Sequence, residues 1–223
     1  MRVALAEEAK ARKARGSYAP STAMKRAILI AATSVFAESG YRAGSLRTIG
    51  EKVGITDAGI LHHFGSKVAL LAAVLEWRDE RIAPLLPEAG VSGVETFEGL
   101  LRIADYIPTE PGIARLHCTL LAESTDANHP AHDFFVKRYD RTRGELVTAF
   151  HAAQAKGQLK TGVDPNDAAS ATLAVMDGLQ LQWLLRPDAV DIRSALESHL
   201  RTLVEMSAGS PVSEEMSTIA VSA

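Results

Sequence analysis

Between Ser45 and Lys67 the chain places hydroxyl, guanidinium, imidazole and ammonium groups at spacings that suit contact with a nucleic acid. The segment reads SLRTIGEKVGITDAGILHHFGSK. Ser45 and Thr56 are placed to cap two short helices, and Gly54 between those helices permits a left-handed turn. Two short helices joined by such a turn, with a further helix directly after them, form the arrangement that lays one helix in the major groove of DNA.

Four of these side chains are candidate phosphate donors. Lys67 lies in the first turn of a helix, where its ammonium group and the free backbone N–H groups can face one phosphate. His63 can donate through a ring N–H, and the hydroxyls of Ser45 and Thr56 can donate as well. For the two hydroxyls the simpler interpretation is helix capping alone, which does not exclude a phosphate contact.

A candidate reading helix follows the glycine turn. Its base-facing residues are Asp57, Ala58, Gly59, Leu61 and His62. Asp57 can accept from cytosine N4, but stabilising the positive N-terminus of the helix is the slightly favoured interpretation. Ala58 and Leu61 can contact thymine methyl groups, and Gly59 permits a base edge to approach the backbone closely.

The positions of apolar residues, caps and turn residues predict an all-α fold of about nine helices. The predicted helices span about 21–39, 45–52, 56–63, 66–83, 94–107, 112–125, 130–156, 165–185 and 189–207. In the first of them, Ile28, Ala32, Val35 and Phe36 form one apolar stripe, and Gly40 is placed to end the helix. No stretch shows the sustained alternation typical of a strand.

This pattern divides the chain into four parts. Residues 1–20 are interpreted as a flexible basic arm, and 21–83 as a DNA-binding domain with its helix-turn-helix at about 45–64. Residues 84–208 would form a second, larger helical domain. Residues 209–223 are expected to be a disordered tail, because they lack a periodic apolar pattern.

The distribution of charge suggests that the N-terminal part of the chain binds a polyanion and that the rest has another role. Residues 1–68 carry eleven Lys and Arg against five acids, a net +6, whereas the remaining residues carry a net −9. Chance clustering of solvated charges is the alternative, and on charge alone the two interpretations are about equal. The single cysteine, Cys118, and the lack of a membrane-length apolar segment or secretory signal predict a cytoplasmic protein.

With these residues in view, the chain resembles the TetR (tetracycline repressor) family of bacterial regulators. The resemblance covers about 22–75 and rests on FAESGY, SLRTIGEKVGIT and GILHHFGSKVALL in that order. Four positions depart from the usual family pattern. These are Gly50 in place of alanine, Leu61 in place of tyrosine, Val68 in place of glutamate, and the acid Asp57 at the start of the reading helix. Beyond residue 85 the resemblance is limited to length, helix count and a closing pair of long helices.

The resemblance implies a transcriptional regulator, expected to be a repressor, that binds a palindromic operator as a homodimer and is released by a small-molecule effector. Residues 84–208 would then be its effector-binding and dimerisation domain. It implies that Arg47 reaches a base, where its guanidinium suits guanine O6 and N7. No cofactor, metal or membrane partner is expected. The larger side chains proposed to line an effector pocket are Phe97, Leu101, Tyr106, His117, Phe134, Phe150 and Trp183. Core packing is the competing interpretation for each of these seven.

Two apolar stripes near the end of the chain are candidates for the dimer interface. The stripes consist of Ala168, Thr172, Val175, Leu179 and Gln182, and of Ile192, Leu196, Leu200 and Leu203. Helices 165–185 and 189–207 from two subunits would together form a four-helix interface. The same stripes would also suit an internal core, and the sequence does not separate these two possibilities.

Two other classes of function compete with a regulator. One is a helical enzyme with an incidental helix-turn-helix, for example a hydrolase that uses His117 or His129. The other is an adaptor that binds a protein partner through helices 165–207. Neither accounts for Lys67 at the start of a helix beside a basic reading unit, and no catalytic motif with supporting context is present.

Overall fold

The computed structural model describes the backbone of residues 2–87 and 93–205, and the side chains of those residues from Ser21 onward. Within these ranges the chain forms nine α-helices, as the sequence predicts. They are α1 Arg2–Ala43, α2 Leu46–Val53, α3 Asp57–Phe64, α4 Lys67–Ile82, α5 Val94–Tyr106, α6 Pro111–Glu123, α7 His132–Ala155, α8 Pro165–Leu185 and α9 Ile192–Leu203. Short 3-10 helices follow α4 and α5, and the only bridge in the described part joins Leu159 to Val204.

The first helix is longer than the sequence predicts. Its backbone is helical from Arg2, whereas the sequence predicts this helix to begin near residue 21. The alanine, lysine, arginine and glutamate residues of the segment 2–20 all favour helix, and they outweigh the missing donor of Pro20. Helical geometry is interrupted at Gly40 (φ 73°, ψ 175°), where the sequence predicts the helix to end. The predicted tail 209–223 lies outside the described residues.

The core of the predicted DNA-binding domain extends past the predicted boundary near residue 83. The apolar stripe of α1 is buried as predicted, and Ile49, Ile60 and Leu70 bring α2, α3 and α4 onto it. Leu116 and Leu120 of α6 join the same cluster and are fully buried. Side chains of α6 therefore complete the core that α1 to α4 form.

A second core joins α5, α7, α8 and α9, and it contains most of the two stripes predicted as a dimer interface. Ile192, Leu196 and Leu200 are at most 2% exposed within one chain, and Ala168 and Thr172 are also buried. These residues face inward because α9 packs on α5 and α8. The alternative of an internal core is therefore correct for these buried residues and for Leu179, whereas Val175 and Leu203 are half-buried and Gln182 is exposed.

The opposite face of α8 remains uncovered within the chain. At intervals of three and four residues it carries a row of small and apolar residues. The row comprises Ala171, Ala174, Gly178, Leu181 and Leu185. Leu181 and Leu185 are 52% and 73% exposed, respectively. We call these five residues the α8 stripe.

Candidate nucleic-acid interface and ligand cavity

Hydroxyl caps fix the starts of the three helices that carry the candidate DNA contacts. The Thr48 N–H donates to Ser45 Oγ at 3.0 Å, and the Gly59 N–H donates to Thr56 Oγ1 at 3.1 Å. Ser66 caps α4 in the same way. Both predicted hydroxyls therefore satisfy helix N-termini, while their residues remain exposed on the surface.

Arg47 extends from α2 into solvent. Its side chain is 86% exposed, and its Nε donates to Glu51 Oε1 at 2.9 Å one turn along the helix. An exposed pair of this kind contributes only about 0.3–0.5 kcal/mol. The guanidinium can therefore exchange Glu51 for a nucleic-acid acceptor at small cost.

The candidate reading helix α3 buries one side and exposes the other. Ile60 is fully buried, whereas Leu61 is 39% exposed and Asp57, Ala58 and His62 are exposed beside it. Asp57 Oδ1 accepts from the Ala58 N–H at 3.0 Å, an N-terminal contact in keeping with the predicted helix-dipole role. Gly59 is half-buried against the side chain of Ile55. The predicted set thus shares one accessible surface, except for the lower exposure of Gly59.

Lys67 turns back toward the end of α1. Its Nζ lies 4.5 Å from the centroid of the Tyr41 ring and donates to the Arg42 carbonyl oxygen at 3.3 Å. Partial burial lowers the pKa of Lys67, and nearby Glu123 opposes that shift. These contacts hold the Lys67 ammonium group in place at the N-terminus of α4. His63 is half-buried beside His62, and their ring centroids lie 5.7 Å apart.

A polar joint connects the break in α1 to the C-terminal domain, and sequence reasoning missed it. Glu123 Oε2 accepts from the Tyr41 N–H at 2.7 Å, immediately after the break at Gly40. Buried His129 lies 3.4 Å from the same carboxylate oxygen, and Arg42 pairs with Asp126 beside it. Because Glu123 follows α1 by about eighty residues, no local sequence pattern reveals this contact.

A cavity of about 90 Å³ lies between α4, α5, α6, α7 and α8. Tyr106 and His117 line it, as proposed from the sequence. The other five predicted residues do not line this cavity. Phe97, Leu101, Phe150 and Trp183 pack in or against the second core, and Phe134 lines a neighbouring, wider cavity of about 590 Å³. Large apolar side chains fill these core positions because the helices meet closely there.

The cavity wall combines an apolar side with a polar cluster. Its apolar residues include Ile82, Leu100, Ile103, Ile113, Leu173 and Met176. At the polar side Arg78 is only 5% exposed, and its Nη1 lies 3.0 Å from Asp79 Oδ1. Burial lowers the pKa of Arg78 to about 10. Arg78 was not predicted, although it falls on the buried stripe of α4 at helical spacing from Leu71, Val74 and Leu75, which was the available signal.

His117 and Asp177 form the other half of this polar cluster. His117 Nε2 lies 3.4 Å from Asp177 Oδ1, and the Tyr139 hydroxyl donates to Asp177 Oδ2. Burial lowers the pKa of His117 to about 4, and the charge of Arg78 adds to that shift. His117 is therefore neutral at physiological pH, and it is only 5% exposed.

Two further findings concern other kinds of site. Among the described residues, no group of three or more histidine, cysteine, aspartate and glutamate side chains is placed to hold a metal ion. In those same ranges no single helix is long and apolar enough to cross a membrane. Only α3 and the segment 67–85, taken together as a pair bent by 65°, have the length and composition that a membrane span requires.

Two protein-family models match this chain, one over the helices of the candidate DNA interface and one over the helices around the cavity. The model of bacterial regulatory proteins of the tetR family matches residues 28–74, and the C-terminal model of BetI-type transcriptional repressors matches residues 103–207. The chain belongs to the TetR family of transcriptional regulators. It is 29% identical to the regulator TtgR of Pseudomonas putida over 82% of this chain and 91% of that protein.

Solved structures of TetR-family proteins share the fold. The complex of SmeT with triclosan superposes with a TM-score of 0.70 at 22% identity, covering 86% of this chain and all of that one. NalD of Pseudomonas aeruginosa, described as a repressor of a multidrug efflux pump, gives 0.67 at 24% identity over 83% and 98% of the two chains. TtgR is a transcriptional regulator and NalD a repressor, in agreement with the expected class.

Two departures from the usual TetR-family pattern have local structural accounts. A Cβ on Gly50 would lie 2.5 Å from the Ile55 carbonyl oxygen, so the turn after α2 passes closer to the helix than alanine allows. Val68 is 50% exposed and provides no carboxylate to complete a capping box, but Ser66 Oγ still accepts from the Ala69 N–H at 3.0 Å.

Proposed function

We propose that this TetR-family regulator is a ligand-responsive repressor that binds a palindromic operator as a homodimer and releases it when a small molecule occupies the cavity. The observation that carries the proposal is the double role of α4 and α6. Arg78 of α4 and His117 of α6 line the cavity, while Leu70 of α4 and Leu120 of α6 are buried in the core of the DNA-binding domain. A change at the cavity can therefore reach α3 through packed side chains.

The proposed DNA contacts divide into positioning and reading. Ser45, Thr56 and Lys67 at the starts of helices would contact phosphates, as would His63 near the end of α3, and these contacts would fix the register of the domain. Arg47 would read a guanine, and the exposed residues of α3 from Asp57 to His62 would meet neighbouring base edges. This surface is supported by the exposure of Arg47 and Leu61 beside the capped helix N-termini.

The homodimer is proposed to form through the α8 stripe. Gly178 and the two exposed alanines permit two helices to approach closely, and burial of Leu181 and Leu185 would provide the hydrophobic stabilisation. Two reading helices would then occupy major grooves about 34–36 Å apart, which is one turn of DNA. We propose a cytoplasmic location, since that is where the operator lies.

The effector must distinguish two conformations of the dimer. It has to bind the form with wrongly spaced reading helices more tightly than the DNA-bound form, because a ligand with equal affinity for both shifts nothing. The structure of SmeT with triclosan supports small-molecule binding as a property that this fold can have.

Fluorescence anisotropy with the DNA upstream of the chain's own gene tests operator binding. We expect saturable binding that a scrambled duplex of equal length does not reproduce, and an affinity that falls steeply as salt rises. Equal affinity for both duplexes would overturn the proposed operator recognition.

A further inference from the structure

We infer that the cavity binds an amphipathic ligand whose anionic head group is held by Arg78. The inference rests on the proposed function, because it names the class of effector that the same cavity would accept. Its structural basis is a buried guanidinium with an unpaired donor in the polar part of the cavity wall, opposite an apolar part.

The first observation is an unpaired donor. Within the described ranges, Arg78 Nε has no hydrogen-bond partner, although the residue is 5% exposed and lines the cavity. A buried N–H without an acceptor is costly, and this atom can only donate. A ligand that satisfies it must therefore supply an acceptor rather than a donor.

The second observation is that the carboxylates near Arg78 are already engaged by other donors. Asp79 is shared by three guanidinium groups, with Arg138 Nη1 at 2.6 Å and Arg141 Nη2 at 3.6 Å in addition to Arg78. The other nearby carboxylate, Asp177, already accepts from Tyr139 and faces His117. Arg141 is 60% exposed and does not line this cavity, so the charges there are Arg78 and Arg138 against Asp79 and Asp177. Both carboxylates already accept from other donors and neither bonds Arg78 Nε, so the acceptor for this atom would be the head group of the ligand.

The rest of the cavity specifies the body of the ligand. Ile103, Ile113, Leu173 and Met176 provide an apolar lining, and Glu110 is already paired with Arg81 at 2.7 Å. A hydrocarbon or aromatic body would be desolvated here, while its head group contacts the guanidinium. A monocarboxylate with a short apolar body meets both requirements.

Isothermal titration calorimetry on the full-length, DNA-free protein tests this ligand class with three probes of nearly equal size. The probes are 4-phenylbutyrate, 4-phenylbutyramide and 4-phenylbutylamine. We expect the carboxylate to bind about tenfold more tightly than the amide, since a charge-assisted hydrogen bond is stronger than a neutral one. The amine should bind more weakly than both. Tighter binding of the amine, equal binding of the three, or no binding of any would overturn the inference.

Variants connect the preference to Arg78. Arg78→Met should reduce the preference for carboxylate over amide to about threefold or less, and Arg78→Lys should retain a charge but lose part of the preference. Arg115→Gln, at an exposed position of α6, should bind like the wild type. The wild-type probe series decides the question even if the Arg78 variants do not fold. Operator binding measured on the same preparation separates the two proposals, because intact operator binding without carboxylate preference removes only this inference.

Discussion

At the scale of single residues, Arg47 and Lys67 are expected to contribute to DNA binding in different ways. Arg47→Ala should weaken binding to the operator by about 1–3 kcal/mol and reduce discrimination at one base pair, because the two hydrogen bonds from the guanidinium to a guanine would be lost. Anisotropy titrations against single-base variants of the operator measure both effects. The free energy of unfolding should change little, since the side chain is 86% exposed.

Lys67→Ala should instead weaken binding to all duplexes by a similar factor and lower the salt slope by about one. Arg115→Ala is the matched control, because it removes one positive charge from an exposed position far from α3 in the sequence. Unchanged binding by both Arg47→Ala and Lys67→Ala, alongside unchanged binding by this control, would contradict the proposed interface.

His117 is expected to make the fold sensitive to acid. Burial, aided by Arg78, holds its pKa at about 4, below the ordinary value of 6.5. Because the folded-state pKa is depressed, the stabilising contribution is complete above about pH 6.5 and is lost as the pH falls toward 4. Between about pH 7.5 and about pH 5 the wild type should lose about 2 kcal/mol more than His117→Asn does.

Urea unfolding of the two proteins at both pH values measures this difference. The contributions of His129 and His199, whose pKa values are also lowered by burial, cancel in the comparison because both proteins retain them. An identical loss of stability in the two proteins would show that His117 is not the responsible group.

At the scale of elements, the break in α1 depends on a glycine. At φ 73° and ψ 175°, Gly40 has a backbone conformation that other residues rarely adopt, and an added Cβ would overlap the Glu123 carboxylate. Gly40→Ala should therefore reduce the free energy of unfolding by about 1–3 kcal/mol and disturb the contact between Glu123 and the Tyr41 N–H. Thermal unfolding followed by circular dichroism measures the loss.

Gly112→Ala provides the control for Gly40→Ala. Gly112 lies in α6 with open space around its Cα, so alanine should be neutral or stabilising there by up to about 1 kcal/mol. Equal stability of Gly40→Ala and the wild type would mean that the break is not required for the fold.

The elements also show why sequence reasoning succeeds in one half of the chain and stops in the other. Caps, glycine turns and apolar spacing act over a few residues, so Ser45, Thr56 and Gly54 define α2 and α3 within one or two residues. The cavity depends instead on which side chains five separate helices bring together. Size alone suggested Phe97 and Phe150, but these two rings pack 4.7 Å apart in the core, whereas the buried Arg78 lines the cavity.

At the scale of the whole molecule, the α8 stripe is expected to control both assembly and DNA affinity. The double substitution Leu181→Glu, Leu185→Glu should produce a monomer, because charged groups cannot be desolvated in a helix interface without partners. Its affinity for the full palindrome should fall to about that for a half-site. Light scattering after size-exclusion chromatography gives the mass, and anisotropy gives the affinity.

Val136→Glu is the comparison for this double substitution. Val136 is 46% exposed on α7, outside the α8 stripe, so its replacement should leave the mass of the assembly unchanged. A wild-type protein that is monomeric at micromolar concentration, or a double variant that remains dimeric, would contradict the assignment of the stripe.

The position of α6 between the cavity and the DNA-binding domain predicts which substitutions would separate effector binding from release of the promoter. Leu116 and Leu120 support the DNA-binding domain from the same helix that presents His117 to the cavity. Conservative substitutions at Leu116 or Leu120 should therefore yield alleles that still occupy the promoter but no longer respond to inducer. Such non-inducible alleles would lie outside the ligand's own contacts, and a screen restricted to the cavity wall would overlook them.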